Sequence, residues 1–301
     1  MPKAIKLSSR DTKGRRLITA LSVSVCLLGA LSCTPPVAIA TFAASAETAI
    51  SAGPAIFADI HDSCARRQLD EGRLVAKYPH AGQSQPDDAM PGQSVCASFV
   101  PEVKELEHVS FTLGAYFRTM QQLAAFDESK VSVQAKEAGE SAGAAAILSL
   151  NQIDSVAKLS GLITRAFTQH YQRGKLIDLL RAADPHVAVV CQALETVLSK
   201  DYSGLLDEEE RAMKRRYQRV SGGGNPATVL LLNRAYSEDL VEFQRRRIAA
   251  NAYAAALKQV RDGHHQLAID AGRLNDKEIA LALAPYISQI QTLVAQNQGH
   301  P

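Results

Sequence analysis

The chain has 301 residues, of which 46% are hydrophobic, 5% are aromatic and none is Trp. With so few aromatic residues, the hydrophobic core of the protein must consist of Leu, Ala, Val and Ile. This composition favours helix-on-helix packing over a β-sandwich. The formal net charge is +2, but six of the 33 basic residues and one of the 31 acidic residues lie in the first sixteen positions. The remaining 27 basic and 30 acidic residues give a charge near −3, which argues against nucleic acid as a partner.

The first 40 residues are predicted to be an export signal peptide. Residues 1–16 are basic and polar, and Leu17 to Leu31 are almost wholly apolar, which is the order of the n-region and h-region. The apolar run is too short for an ordinary membrane-spanning helix. We therefore expect export to the periplasm of a bacterial cell envelope.

Three endings of this signal fit the sequence. Ala30-Leu31-Ser32-Cys33 resembles the lipobox of bacterial lipoproteins, although Ala30 stands where that family usually has Leu. The resemblance covers this segment alone and implies that Cys33 is lipidated, becomes the mature N-terminus and anchors the protein to a membrane, such as the outer membrane. The alternatives are cleavage after Ala40 or Ala46, which both end small-x-small triplets, and an uncleaved anchor.

The next part of the chain divides into a tether and a single helical domain. Residues 41–56 are Ala- and Ser-rich without a sustained apolar stripe and are predicted to be a flexible tether. The domain is predicted to cover residues 57–298. A weak helical pattern runs to Tyr78, and residues 79–95 contain three Pro, two Gly and two Asp, which predicts a loop.

The cysteines allow one disulfide to be predicted. Cys64 and Cys96 lie on either side of the predicted loop, and in an oxidising compartment such a pair is expected to bond. Closing a loop of ~30 residues stabilises by a few kcal/mol in the chain-entropy model. Two unrelated thiols are the alternative. Cys191 lies in an apolar row and is predicted to be a small buried hydrophobic residue.

Further helices are predicted along the middle of the chain. Pro101 opens a helix with near-heptad spacing, and a third helical segment runs from Ile147 to Ala182. Asp184-Pro185 is predicted to stop that segment and to start a fourth helix, which ends near Lys200.

The longest predicted helix lies in the last quarter of the chain. Ser221–Gly224 cannot hold a regular element, and Asn225-Pro226 is a strong helix start because Asn caps the free N–H groups. An apolar stripe at three- and four-residue steps continues from Val229 to Val260, so an unbroken helix to Asp262 would be ~55 Å long. A helix of that length needs partner helices. A last helix is predicted from Asp276 to Gln298.

Arg245, Arg246 and Arg247 form the most basic feature of the predicted domain, with two interpretations. They could bind an anionic partner, such as lipid head groups or an acidic protein. Alternatively, they pair with acidic residues on the same and on facing helices. The acidic candidates are Glu238, Asp239, Glu242 and the acids of 207–210.

No catalytic or metal-binding pattern is found. The eight His residues are scattered, and H-E-x-x-H, C-x-x-C and a G-x-S-x-G after a strand are absent. His264 and His265 are adjacent on a helix, so their side chains are not expected to share one ion, and a polar hinge or cap is predicted. We expect no cofactor, no metal and no enzymatic activity.

These observations predict an all-α, elongated multi-helix bundle with long antiparallel, coiled-coil-like helices. The leading hypothesis is a non-enzymatic envelope protein, or lipoprotein, that binds an envelope protein partner through helical surfaces. The alternatives are a periplasmic carrier of an apolar or lipid ligand, held in a gap between Ala-faced helices, and a membrane-active helical protein.

Overall fold

The computed structural model describes residues 37–71, 96–125, 147–168, 173–222, 225–273 and 275–298. All regular elements in these ranges are helical, which confirms the predicted all-α, multi-helix fold. The elongated shape and the coiled-coil-like packing stay predictions. Most of the signal segment and the predicted loop at 79–95 lie outside the described residues. No helix within the described ranges is long and apolar enough to cross a membrane.

Eight α-helices and one π-helical turn make up the described part of the chain. They are α1 (Val37–Ile50), α2 (Gly53–Asp70), α3 (Phe99–Ala124), α4 (Leu150–Thr168), α5 (Arg173–Thr196), the π-turn (Val197–Tyr202), α6 (Ser203–Ser221), α7 (Pro226–Asp270) and α8 (Asp276–Gln298).

Helix α7 begins where the sequence predicts. The Asn225 side chain caps it by accepting a hydrogen bond from the Thr228 backbone N–H, and Pro226 occupies the first turn. The helix continues past Asp262 to Asp270 and has 45 residues, which corresponds to ~68 Å. It packs against α5, α6 and α8, so the long helix has the helical partners that its length requires.

The predicted tether is wrong. Residues 41–50 belong to α1, which packs against α3 and α8, and the Phe42 side chain is fully buried. The inward side chains of α1 are mostly small, so the composition resembles a linker although the three- and four-residue spacing is helical. They are Ile39, Phe42, Ala43, Ser45, Ala46, Ala49 and Ile50. The packed helical domain therefore includes Val37–Ile50, part of which lies inside the predicted signal peptide, and is not limited to residues from 57 onward.

The predicted helix stop at Asp184-Pro185 is also wrong, because Pro185 lies inside α5. Proline removes one backbone donor and usually ends or kinks a helix. Here the following residues Val187 and Val190 are buried in the core, so tertiary packing holds the helix together across the proline. The end predicted near Lys200 is replaced by the π-turn, which leads directly into α6.

Candidate functional site

The predicted disulfide between Cys64 and Cys96 is present in the structure. It joins α2 to the residues just before α3. Helices α2 and α3 also pack against each other. Cys191 is free and buried, as predicted from its apolar row. Burial raises the pKa of its thiol, which makes it a poor nucleophile.

Arg246 is part of a buried ion cluster. Its guanidinium donates to both carboxylate oxygens of Glu209 in α6, at 2.8 and 2.9 Å. Glu209 also accepts from Arg66 Nε at 2.7 Å and from Ser63 Oγ at 2.6 Å, both in α2. Asp59 completes the cluster by accepting from Arg66, Arg246 and the hydroxyl of Tyr202. We call these six residues the Glu209 cluster.

The charged side chains of this cluster stabilise one another. The Glu209 side chain is 5% exposed, and burial by itself raises the pKa of a carboxyl. The hydrogen bonds from Arg246, Arg66 and Ser63 outweigh that effect and hold the pKa of Glu209 below its ordinary value. Glu209 is therefore ionised at neutral pH, and the cluster ties α2, α6 and α7 together.

The other two arginines are also paired. Arg245 contacts Glu242 at 3.0 Å, and Arg247 contacts Asp207 at 2.6 Å and Glu210 at 3.2 Å. The structure therefore places all three arginines in ion pairs, the second interpretation of the sequence. Two of the predicted acids pair elsewhere: Glu238 with Arg234 and Asp239 with Arg216. Arg246, only 16% exposed, cannot form part of a surface for an anionic partner.

His264 and His265 lie inside α7 and share one carboxylate. His264 Nδ1 lies 3.1 Å from Asp184 Oδ1, and His265 Nδ1 lies 2.8 Å from Asp184 Oδ2. The predicted hinge or cap is therefore wrong. Although the two adjacent side chains point in different directions, both contact Asp184, because each ring reaches a different oxygen of its carboxylate. Tyr116 of α3 lies 2.8 Å from His264 Nε2. We call these four residues the Tyr116–His264 chain.

The chain of hydrogen bonds fits a neutral His264 ring. Burial lowers the pKa of His264, and Asp184 opposes that shift only in part. In the neutral ring Nδ1 donates to Asp184 and Nε2 accepts from the Tyr116 hydroxyl. The side chains of Tyr116 and His264 are both 0% exposed, so no substrate can reach them in this conformation. The arrangement therefore serves to join α3, α5 and α7.

The described residues contain no group of three or more His, Cys, Asp or Glu side chains that could hold a metal ion. The polar groups of the Glu209 cluster and of the Tyr116–His264 chain bond to other protein side chains. The arrangement of these residues supports assembly of the fold more directly than catalysis.

An arm with one solvent-exposed side is the feature best suited to binding. We define the arm as α6 together with residues 226–249 of α7. No side chain between Pro226 and Glu242 is buried, and this part of α7 contacts α6, with the Tyr217 and Tyr236 ring centroids 5.0 Å apart. The arm exposes large apolar side chains: Val220 at 49%, Leu230 at 71%, Leu231 at 69%, Val241 at 62% and Ile248 at 47%.

Depressions also lie elsewhere on the surface of the described residues, two of them between helices. One is a cleft of about 340 Å³ between α3, α4 and α5, lined by apolar side chains that include Leu123, Leu162 and Leu176 and by Arg165 and Lys175. The other is a shallow groove between α1 and α8, which begins at Val37.

Sequence reasoning identified Arg246 and the two histidines, and it included Glu209 among the acids of 207–210 as candidate partners of the arginines. Asp59, Tyr116 and Asp184 were missed as partners, because each is an isolated polar residue in a helical pattern.

No family model, no curated protein and no solved structure matches this chain.

Proposed function

We propose that this chain is a non-enzymatic protein of the bacterial cell envelope, anchored by lipid on Cys33, which binds a protein partner through the exposed arm. The position of α1 supports the anchoring, and the apolar side chains of the arm support the binding. Each part has its own test.

The buried contacts of α1 favour processing at Cys33 over the two later sites. Cleavage after Ala40 would remove Ile39, which is 4% exposed. Cleavage after Ala46 would also remove Phe42, whose ring packs edge-on against Phe117 at 6.0 Å between centroids. Deleting a buried Phe side chain alone costs about 3 to 5 kcal/mol. A mature chain that begins at Cys33 keeps α1 whole.

The test is the intact mass of the mature protein from membrane and soluble fractions. We expect a diacylated or triacylated species that begins at Cys33, in the membrane fraction. In a Cys33→Ser variant that species should disappear. An unlipidated mass that begins at Thr41 or Glu47 in the wild type would overturn the anchoring proposal.

The arm has the properties of a protein-binding surface. Contiguous exposed apolar side chains on a soluble protein mark sites of interaction, and paired charges such as Arg234 with Glu238 lie beside them. Partner helices commonly dock on such faces through side chains at three- and four-residue spacing.

Site-specific photo-crosslinking in cells tests the arm. A photoreactive residue at Leu231 should give a defined cross-linked protein product. The control is the same residue at Leu281 in α8, which is also 69% exposed but lies outside the arm. Equal labelling at the two positions, or none at Leu231, would contradict the proposal.

A carrier of a lipid ligand is the second candidate, and the cleft between α3, α4 and α5 favours it. Its volume of about 340 Å³ lies at the lower end of small-molecule sites, about 300 to 1,000 Å³. Its apolar lining beside Arg165 and Lys175 suits an acyl chain with an anionic head group. Native mass spectrometry should then detect bound fatty acid, and Ala166→Phe, which fills the cleft, should remove it. A ligand-free wild-type protein would exclude this candidate.

A further inference from the structure

The end of α2 packs on α6 with its polar side chains inward. After Cys64 the buried residues of α2 are Gln68 and Asp70, whereas Leu69 is 48% exposed. We call residues 67–71 the strap. The first half of the same helix shows the opposite arrangement, because its large apolar side chains are buried in the core. They are Ile56, Phe57 and Ile60.

The charged residues of the strap and of α6 follow opposite orders along the chain. Arg67, at the start of the strap, pairs with Glu208. Asp70, near its end, pairs with Arg216 at 2.6 Å, and its backbone oxygen accepts a hydrogen bond from Arg219 at 2.8 Å. The basic part of the strap therefore meets the acidic part of α6, and the acidic part of the strap meets the basic part of α6.

These ion pairs hold the strap without the help of buried apolar side chains of its own, since residues 67–71 contribute none. One partner in each pair is well exposed: Glu208 at 48%, Arg216 at 38%, and Arg215, which lies 3.5 Å from Glu71, at 54%. Exposed pairs of this kind contribute little in water and are screened by salt. Apolar burial, which holds the first half of α2, does not depend on charge screening.

Two features destabilise the strap in its bound position. Gln68 is 1% exposed, and its side-chain nitrogen has no hydrogen-bond partner among the described residues, which is unfavourable compared with hydration. Burial also raises the pKa of Asp70, although Arg216 opposes the shift. The ionised carboxylate is therefore less stable in this position than in water. Release of the strap would remove both penalties.

The strap lies on a face of α6 that belongs to the arm. Glu209 and Arg216 of α6 both bond to α2, and they are about two helical turns apart. Ala212 and Met213 lie between them at positions that share this face, and they are 0% and 5% exposed. Release of the strap is therefore expected to expose apolar side chains of the arm.

We infer that the strap is a releasable cover of the arm, which ion pairs hold in place and which a rise in ionic strength opens. Cys64, just before the strap, is bonded to Cys96, and Arg66 is held in the Glu209 cluster. The rest of α2 therefore stays in place when the strap is released. The inference deepens the proposed function by naming a regulation of the arm, and it rests on that function for the use of the exposed surface.

Hydrogen exchange followed by mass spectrometry tests the inference on the unsubstituted protein. The Debye length falls from about 30 Å in 0.01 M salt to about 3 Å in 1 M salt, so the ion pairs of the strap are screened at the higher concentration. A released turn cannot stay helical by itself, and the exchange rate of residues 67–71 should rise at least ~10-fold. Residues 56–60 of the same helix are the control and should exchange equally slowly at both concentrations.

A charge exchange tests the pairing itself. Arg67→Glu should release the strap even at low salt, because two carboxylates would then repel each other. Adding Glu208→Arg restores a pair of opposite charges and should restore slow exchange of residues 67–71. Lys158→Glu is the matched control, because it reverses the same charge in an exposed pair with Asp154 in α4 and should leave the strap unchanged.

Thiol labelling measures whether opening exposes the arm. In a Met213→Cys variant, maleimide labelling of residue 213 should be at least ~10-fold faster in 1 M than in 0.01 M salt. Peptide mass spectrometry locates the label. Cys191 is free and buried away from the strap in α5, so its labelling should not change with salt.

The outcomes separate this inference from the proposed function. Equal exchange of residues 67–71 at both salt concentrations would overturn the inference, and so would an equal rise in residues 56–60, because the strap would then not open by itself. Failure of the double variant to restore slow exchange would show that ion pairs do not hold the strap. Unchanged labelling at residue 213 would overturn its role as a cover. All these measurements use the protein without a partner, so an arm that gives no cross-link at Leu231 leaves them standing.

Discussion

The two parts of α7 have different surroundings although they belong to one continuous helix. From Phe243 onward the inward side chains are buried, among them Tyr253 at 2%, Leu257 at 1% and Val260 at 0% exposure. Before Phe243 no side chain of the helix is buried. The N-terminal part includes Leu230, Leu231 and Leu232, so it does not lack apolar residues, and the difference comes from what packs against each part.

This contrast shows how the two parts are stabilised. The C-terminal part is held by a core shared with α1, α5 and α8, and by the Tyr116–His264 chain. The N-terminal part depends on the Asn225 cap, on pairs such as Arg234 with Glu238, and on one neighbouring helix, α6. Similar substitutions should therefore have very different effects on stability in the two parts.

The largest effect is expected at the junction of the two parts, for Arg246→Ala. Glu209 would lose two of its four hydrogen bonds and would keep Arg66 as its one cation, so the loss should approach about 3 to 5 kcal/mol, the cost of breaking a buried ion pair. The neighbouring Arg245→Ala is the control, because its pair with Glu242 is exposed and worth at most about 1 kcal/mol. Urea unfolding followed by circular dichroism measures both. Equal losses of unfolding free energy in the two variants would show that the Glu209 cluster stabilises the fold no more than an exposed ion pair does.

The next effect concerns close packing in the C-terminal part, at Gly263. A Cβ atom there would lie 2.6 Å from Phe42 Cε2, so Gly263→Ala should destabilise by about 1 to 3 kcal/mol through overpacking. Gly161→Ala in α4 is the control, since its added methyl group meets no atom within 4 Å and should stabilise by up to about 1 kcal/mol. Thermal unfolding should shift in opposite directions for the two variants. A stabilising Gly263→Ala would mean that α1 does not pack closely against α7.

A smaller effect is expected from protonation of His264. Its pKa is lowered by burial in the folded state, so the unfolded chain binds the proton more readily near the ordinary value of about 6.5. The stability that this group contributes is thus present above that pH and is lost as the pH falls through it. The groups that face the ring are Asp184 of α5, Tyr116 of α3 and the adjacent His265.

Unfolding free energies between pH 7.5 and 5 measure this dependence. His264→Gln should flatten the decline, because the amide does not titrate. His265→Gln is the control, at a ring whose side chain is 62% exposed, and should leave the slope nearly unchanged. Part of the slope should persist in both variants, since burial also lowers the pKa values of His108 and His186. An unaltered slope in His264→Gln would contradict the prediction.

The sequence predicts elements with strong local signals and fails where distant residues decide. Asn225-Pro226 has a local mechanism and marks the start of α7 correctly. Gly263 resembles a helix end because glycine often follows one, yet here its missing side chain makes room for Phe42, which is more than 200 positions away in the chain. The small residues of α1 resemble a linker until the helices that pack against them are known.

The candidate sites also show that contacts between distant residues cannot be predicted from the sequence. The pairing of Cys64 with Cys96 is inferred from the loop predicted between them. The Tyr116–His264 chain joins residues 148 positions apart, and Glu209 bonds to Ser63 across 146 positions. No periodicity or short motif connects such residues, so only the three-dimensional structure shows that Arg246 is partly buried in the Glu209 cluster and that Leu230 is exposed.

The smallest effect on stability is expected for Leu230→Asp in the N-terminal part of α7. A surface substitution away from buried contacts changes the unfolding free energy by no more than about 0.5 kcal/mol, and this side chain is 71% exposed. Leu257→Ala in the C-terminal part provides the contrast, because truncating a buried Leu costs about 2 to 5 kcal/mol. Urea unfolding of the two variants gives both values.

A small loss for Leu230→Asp would mean that this leucine contributes little to the fold and is free to contact a partner. The same variant should then weaken cross-linking of the arm, because a carboxylate cannot enter an apolar contact without losing its hydration. A loss of 2 kcal/mol or more would show that Leu230 is buried within the folded monomer. In that case the two parts of α7 would be equally packed, and the arm would offer no free apolar surface to a partner.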